Sequence, residues 1–132
     1  MTREADIQAA IRLAVGRLPN VRLFRNNRGQ AWMGEVVSRR NGIVTLAGAH
    51  PVVFGLTDGA SDLIGLTQVV VTPAHVGQKL AVFTAAEVKQ PGKTVPDHQR
   101  NFVVFVRDFG GIAGVVRSPE DALRLIGGET LL

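Results

Sequence analysis

The sequence predicts an α/β fold in which helices flank a mixed central β-sheet. Apolar residues recur at three- and four-residue spacing in the first and last thirds of the chain, as in amphipathic helices, and shorter apolar runs between turn residues indicate strands. A strand, a helix and another strand follow one another near the C-terminus, which predicts a right-handed crossover between two parallel strands. The 132 residues are 45% hydrophobic, so we expect one domain over residues 1–132.

The first half of the chain predicts one helix and three short strands. An apolar stripe at helical spacing predicts a helix over residues 3–17, and residues 21–24 follow as a strand. Residues 35–46 are predicted to form a hairpin, because Asn41-Gly42 supplies the positive φ angles that a tight turn requires. We interpret residues 33–57 as an insertion that contains this hairpin and holds DNA or a second subunit.

The second half predicts strands that alternate with two helices. The strands are expected at residues 62–71, 80–88 and 112–116. The first two are mostly apolar, which is typical of buried central strands. Pro96 begins a helix that Gly110-Gly111 ends, and Ser118 begins a last helix that ends at Gly127-Gly128.

Basic charge is concentrated in one part of the chain. Fifteen Lys and Arg against eleven Asp and Glu leave a net charge of +4, which favours a polyanionic partner. Between residues 17 and 40 lie six arginines and a single acid, Glu35. These arginines cluster on predicted loops and a hairpin tip, so they suit contact with nucleic-acid phosphates, although a solvated surface is the plain alternative.

Composition excludes several classes of function. The chain has no Cys, which excludes disulfides, thiolate metal sites and a cysteine nucleophile. Acids near the N-terminus and the lack of a run of roughly 18 apolar residues predict neither a signal peptide nor a membrane span. We therefore expect a cytoplasmic protein with no membrane partner. No glycine motif that cradles phosphates is present, so no nucleotide cofactor is expected.

Glu87-Val88-Lys89, at the end of a predicted strand, combines an acid and a lysine. Alternate residues of a strand share a face, so Glu87 and Lys89 project together, while Val88 points into the core and offers its backbone carbonyl. Asp62 opens the neighbouring predicted strand, where its carboxylate and that of Glu87 could converge on one sheet edge. Two carboxylates and a carbonyl suit Mg²⁺ or Mn²⁺ and the hydrolysis of phosphodiester bonds. The ordinary alternative is a surface ion pair and a turn-capping aspartate.

The order of these segments resembles the VRR-NUC domain, the virus-type replication-repair nuclease branch of the PD-(D/E)xK superfamily. The resemblance rests on an acid near the start of the first helix, Arg25-Asn26-Asn27, residues 59–65 (GASDLIG), Glu87-Val88-Lys89, Gln99 and residues 110–116 (GGIAGVV). The resemblance spans Glu4 to about Ala122. The family members that the chain resembles are the stand-alone phage and bacterial ones. Ser61 stands where the superfamily pattern has proline, a change that removes no metal ligand.

The resemblance implies a restriction-endonuclease-like core and a metal-dependent, structure-selective DNA endonuclease. Its implied catalytic residues are Glu4, Asp62, Glu87, Lys89 and Gln99. Mg²⁺ or Mn²⁺ would be bound by Asp62, Glu87 and the Val88 carbonyl, with Glu4 as a further acid. The resemblance also implies a homodimer that acts on branched DNA such as Holliday junctions, in a bacterial cell or a phage-infected host.

The predicted DNA-backbone contacts are Arg25, Asn26, Asn27, Arg28, Arg39, Arg40 and Lys93. The main alternative is a module that binds branched or single-stranded nucleic acid on the same fold without cleaving it. A sequence-specific restriction-type endonuclease ranks third, because the chain leaves little length for base-reading loops. Trp32 is predicted either to stack on a base or to fill an apolar gap, and the three histidines are expected on surface loops.

Overall fold

The computed structural model describes residues 3–131, which form three α-helices and six β-strands. The helices are α1 (Glu4–Val15), α2 (Asp97–Asp108) and α3 (Pro119–Ile126). The strands are β1 (Val21–Arg25), β2 (Gly29–Arg40), β3 (Ile43–Phe54), β4 (Leu63–Thr67), β5 (Thr84–Val88) and β6 (Ile112–Val116). The predicted α/β class is confirmed. Within these residues no helix has both the length and the apolar character needed to cross a membrane.

The described strands form three two-stranded sheets, and the single mixed central sheet that the sequence predicted is not formed. β1 pairs with β4 and β2 pairs with β3, both in antiparallel orientation. β5 and β6 are parallel and are joined through α2, which confirms the parallel pair expected from the strand, helix and strand order.

The partner strand determines how long β4 and β5 are. β1 starts at Val21, opposite Thr67, and the last bond of this ladder runs from the Gln68 amide to the Asn20 carbonyl at 2.7 Å. Beyond Gln68 the described chain offers no strand to pair with, so β4 ends at Thr67 although the apolar run continues. β5 likewise starts only at Thr84, opposite the first residue of β6. The predicted strands at residues 62–71 and 80–88 were therefore too long.

Helix α2 packs against both of the sheets beside it. Its Val103 and Val106 side chains are 2% and 0% exposed, and they form one apolar cluster with Leu66 of β4 and Ala113 of β6. Partly buried side chains surround this cluster, namely Phe24, Phe83, Ala85, Phe105 and Phe109. Residues from β1, β4, β5 and β6 thus meet on one helix.

The two outer helices are held differently. The Ser118 Oγ of α3 accepts a hydrogen bond from the Asp121 amide at 3.1 Å, and Pro119 fills the first turn, as the sequence predicted. In α1 no residue is buried, and Ile7 and Ile11 of the predicted apolar stripe remain exposed. Helix α1 therefore covers β1 only in part.

β2 and β3 form a long hairpin, which we call the arm (residues 29–54). Asn41 and Gly42, with φ angles of 50° and 76°, make the predicted tight turn. Each strand has 12 residues, so the hairpin is much longer than the one predicted over residues 35–46. Gly34 and Gly48 lie where the register between the two strands shifts, between Met33 and Glu35. No residue of the arm is buried, and only Gly29, Leu46 and Val52 are half-buried.

Gly65 of β4 is expected to be irreplaceable, because a Cβ there would fall on the backbone carbonyl of Arg22 in β1. We expect Gly65→Ala to lower the free energy of unfolding by about 3 kcal/mol, since two paired backbones would have to move apart. Urea unfolding followed by far-UV circular dichroism measures this. Gly127→Ala is the matched control: Gly127 has a helical φ of −73°, and its added Cβ would meet no atom closer than 3.4 Å. Equal stability of the two variants would contradict the close approach of β1 and β4.

Candidate active site

Glu87 and Lys89 form an ion pair on one face of β5. The Glu87 Oε1 and Lys89 Nζ atoms are 3.2 Å apart, and their side chains are only 26% and 21% exposed. Along this part of the chain Phe83, Ala85, Glu87 and Lys89 are all half-buried, whereas the residues between them are exposed. Ala85 and Phe83 pack against the core cluster, so the charged pair continues the face of β5 that is turned towards the core.

Val88 lies on the opposite face of β5. Its side chain is 73% exposed, so the prediction that it points into the core is wrong. The reason is the phase of the strand: Ala85 contacts the core, and every second residue from Ala85 faces the same way. The role of the Val88 carbonyl as a metal ligand is not decided by this orientation and stays a prediction.

Gln99 lies on the core-facing side of α2, four and seven residues before Val103 and Val106. Its Oε1 is the one buried side-chain nitrogen or oxygen in residues 3–131 that has no hydrogen-bond partner. Helix α2 leads from the end of β5 back to the start of the parallel β6, so its first turn lies at the end of β5 that carries Lys89. Because buried polar atoms are normally paired, this oxygen has an open acceptor position.

Asp62 and Glu4 are both exposed and lie on other elements. Asp62 immediately precedes β4, where its backbone carbonyl accepts a hydrogen bond from the Asn26 amide at 2.8 Å. Glu4 lies in the first turn of α1, and its Oε1 accepts a hydrogen bond from Gln8 at 3.4 Å. Across residues 3–131 no three His, Cys, Asp or Glu side chains come together as a group that could hold a metal. Their roles as metal ligands therefore stay predictions.

Asn26 and Arg28, predicted as DNA contacts, form hydrogen bonds to the backbone of the loop between the arm and β4. The Asn26 side chain donates to the Ser61 carbonyl and accepts from the Leu56 amide, both at 3.1 Å. Arg28 Nε donates to the Leu56 carbonyl at 3.0 Å, and its guanidinium pairs with Asp58. The sequence did not reveal these bonds, because each joins residues about 30 positions apart and no local pattern marks them.

Four of the predicted cationic contacts are exposed, and within the described chain they form no ion pair: Arg25, Arg39, Arg40 and Lys93. Arg39 and Arg40 lie at the tip of the arm, and Arg25 ends β1. Lys93 closes a turn in which its amide donates to the Gln90 carbonyl at 3.2 Å. Asn27 is exposed as well. These side chains are available for phosphate groups.

The turn that carries Lys93 is held in place by Arg117, a residue that the sequence did not single out. Arg117 Nη1 donates to the Gln90 carbonyl at 2.7 Å. The neighbouring Lys89 amide donates to the Val116 carbonyl at 3.0 Å, so the end of β5 and this turn are both fixed to the end of β6. The only local signal for this role is an arginine that directly follows a buried strand.

We expect Asn26→Ala to lower the free energy of unfolding by about 1–2 kcal/mol, because two backbone groups of the loop lose their partner. The neighbouring Asn27→Ala is the matched control and should change stability by less than about 0.5 kcal/mol. Urea unfolding by circular dichroism compares the two variants. A stable Asn26→Ala protein that binds DNA more weakly would instead assign the Asn26 side chain to DNA.

Comparisons with protein-family models, with curated proteins and with solved structures find no match to this chain. The identity, spacing and geometry of its own residues therefore carry the functional inference that follows.

Proposed function

We propose that this protein is a metal-dependent endonuclease that hydrolyses phosphodiester bonds in DNA, with Glu87 and Lys89 in its active site. The observation that carries the proposal is the half-buried Glu87–Lys89 pair on the core-facing side of β5, at the end where Gln99 leaves a buried oxygen unpaired. Positions that continue a core face are normally apolar. An ion pair there contributes little net stability, so a chemical role explains it better than a structural one.

A divalent cation fits the kind of donor atoms available. The carboxylates of Glu87 and Asp62 and the Val88 carbonyl offer the hard oxygen ligands that Mg²⁺ and Mn²⁺ prefer, with Glu4 as a further acid. The unpaired Gln99 Oε1 adds an oxygen that lacks a hydrogen-bond donor. When bound, such an ion lowers the pKa of a water molecule and offsets charge on the phosphate.

The protein's own residues would position and balance the charges of the reaction. The Lys89 ammonium can donate hydrogen bonds to a non-bridging phosphate oxygen, where negative charge grows as water attacks phosphorus. Glu87 keeps this ammonium in place, at 3.2 Å in the structure. As the new bond from the water oxygen to phosphorus forms, the attacking water gives up a proton to the solvent. The bond from phosphorus to the leaving sugar oxygen breaks, and that oxygen takes up a proton from the solvent.

The proposed substrate is branched DNA such as a Holliday junction. Arg25, Arg39, Arg40 and Lys93 are exposed cations without an ion-pair partner in the described chain, which suits contact with phosphates. Contacts of this kind select DNA by shape rather than by base sequence. Paired cuts on a nearly symmetric junction would need two active sites, as in a homodimer. The proposed setting is the cytoplasm of a bacterial cell or of a phage-infected host.

The decisive experiment measures cleavage of labelled duplex, single-stranded, flap and four-way-junction DNA with Mg²⁺, Mn²⁺ or EDTA. We expect metal-dependent cutting that favours the junction, and a loss on the order of 100- to 1000-fold in rate for Glu87→Gln. Glu129→Gln is the matched control. Glu129 follows α3 and forms an exposed ion pair at 2.7 Å with Arg124 of that helix, which raises the pKa of the arginine. Loss of this ion pair should leave the cleavage rate unchanged.

Wild-type activity in Glu87→Gln would refute this assignment of the active site. Tight binding of the junction without cutting in any metal would favour the alternative function, a DNA-binding module that does not cleave. Equal loss in the Glu129→Gln control would indicate a general effect of charge removal. Circular dichroism on each variant confirms that it is folded.

We expect the double variant Arg39→Ala, Arg40→Ala to bind the junction more weakly. The slope of the logarithm of the binding constant against the logarithm of salt concentration should become shallower by about 2 per chain, because each lost phosphate contact contributes about 0.9 to that slope. A double variant of Arg3 and Arg124 to Ala is the matched control. It removes the same charge, but both arginines are already paired with acids, Arg3 with Asp6 and Arg124 with Glu129. Binding titrations at several salt concentrations compare the two, and identical slopes would place the DNA away from the arm tip.

A further inference from the structure

A cleft between the end of α1, the start of β1 and the end of α2 is lined by two arginines and no acid. Arg12 in the last turn of α1 and Arg22 in β1 both border this arginine cleft, whose volume is about 540 Å³. Neither guanidinium forms an ion pair or a side-chain hydrogen bond within residues 3–131. The rest of the lining is glycine and apolar, and it includes Leu18, Pro19, Leu23, Phe24 and Phe109. The cleft therefore carries two positive charges that no acid of its lining balances.

Both cations are stabilised by groups that leave their hydrogen-bond donors unused. The guanidinium carbon of Arg22 lies 5.0 Å from the centre of the Phe105 ring, which is a cation–π contact. A guanidinium stacked on a ring directs its N–H groups outward in its own plane, where they can donate to an oxygen. Arg12 lies at the carboxyl end of α1, where the helix dipole favours a cation. The two arginines are thus held beside the cleft with free donors.

The open edge of β1 adds backbone donors to the same cleft. The Gln68 amide donates to the Asn20 carbonyl, so the even-numbered residues of β1 exchange their backbone hydrogen bonds with β4. The amides of Val21 and Leu23 therefore point away from β4, and they have no acceptor within the described residues. Both residues line the cleft. Their carbonyls face the same way, so this edge can also accept a hydroxyl group or a water molecule.

We propose that the arginine cleft binds a phosphate group, carried either by a nucleic-acid strand or by a small phosphate ester. Two guanidinium groups offset the negative charge of a phosphate, and their planar N–H pairs match the spacing of its oxygens. The apolar walls lower the local dielectric constant, which strengthens such hydrogen bonds. The free amides of Val21 and Leu23 supply further donors of the kind that anion sites use.

The arginine cleft lies away from the proposed active site. It borders Phe109 at the end of α2, whereas Gln99 lies in the first turn of that helix, about 15 Å away along the helix axis. Asp62 lies opposite Asn26, at the other end of the β1–β4 pair from the start of β1. The cleft is therefore a second site, and the proposal does not depend on the nuclease activity.

A nuclear magnetic resonance titration of the full chain with inorganic phosphate, in EDTA and at constant ionic strength, tests the site. The backbone amide signals of Val21 and Leu23 are expected to shift with saturation. Arg12→Gln and Arg22→Gln should each raise the dissociation constant by about tenfold or more. Arg100→Gln is the matched control and should bind as wild type does, because Arg100 is exposed, has no ion pair within residues 3–131 and does not line the cleft.

The same titration in the presence of saturating duplex DNA distinguishes the two sources of the phosphate group. Loss of phosphate binding assigns the cleft to a nucleic-acid strand, and undiminished binding assigns it to a small phosphate ester; either result supports the proposal. Arg12→Gln keeps the test valid if loss of the Arg22–Phe105 contact unfolds Arg22→Gln.

No shift of these amide signals at millimolar phosphate would overturn the proposal. So would an unchanged affinity in Arg12→Gln, or equal weakening in Arg100→Gln. Because the titration contains no metal and measures no cleavage, failure of the nuclease proposal leaves this result unaffected.

Discussion

The apolar contact between helix α2 and the two sheets beside it is the interaction on which the structure depends. Each sheet has only two strands, and such a pair is marginal in water on its own. Val103 and Val106 bring Leu66 and Ala113 together in one cluster and so join the two sheets through a single helix. The same contact organises the candidate site, because the side of α2 that carries the two valines also carries Gln99, and the face of β5 that meets the core also carries Glu87.

Local signals in the sequence predicted the elements that depend on local physics. The Ser118 cap, the Asn41-Gly42 turn and the parallel strands around α2 all follow from short patterns. The length of β4 could not be predicted, because it is set by where β1 begins, and apolar residues beyond that point look the same in sequence. The orientation of Val88 was wrong for a related reason: an apolar residue between two charged ones suggests burial, but the packing of Ala85 fixes the phase of the strand.

The residue types of the candidate site could be predicted from the sequence, but how close the residues lie to one another could be predicted only in part. Glu87 and Lys89 are two positions apart in one strand, so their pairing follows from strand geometry alone. Asp62 and Glu4 lie on other elements, and their distance from the pair depends on tertiary packing. The basic residues fall into two groups that composition cannot distinguish. Arg28 pairs with Asp58, whereas Arg39 and Arg40 at the arm tip form no ion pair within residues 3–131. Charge counts therefore overstate how many arginines are available to a polyanion.

The position of Trp32 has a consequence for spectroscopy. The chain contains one Trp and no Tyr, so its intrinsic fluorescence comes almost entirely from a residue on the arm, away from the α2 cluster. A fluorescence-monitored melt would thus report changes around the arm, while the core of the protein would be nearly invisible to it. Transitions that differ between fluorescence and the helical dichroism signal would then reveal a partly folded species in which the arm is released and the core is intact.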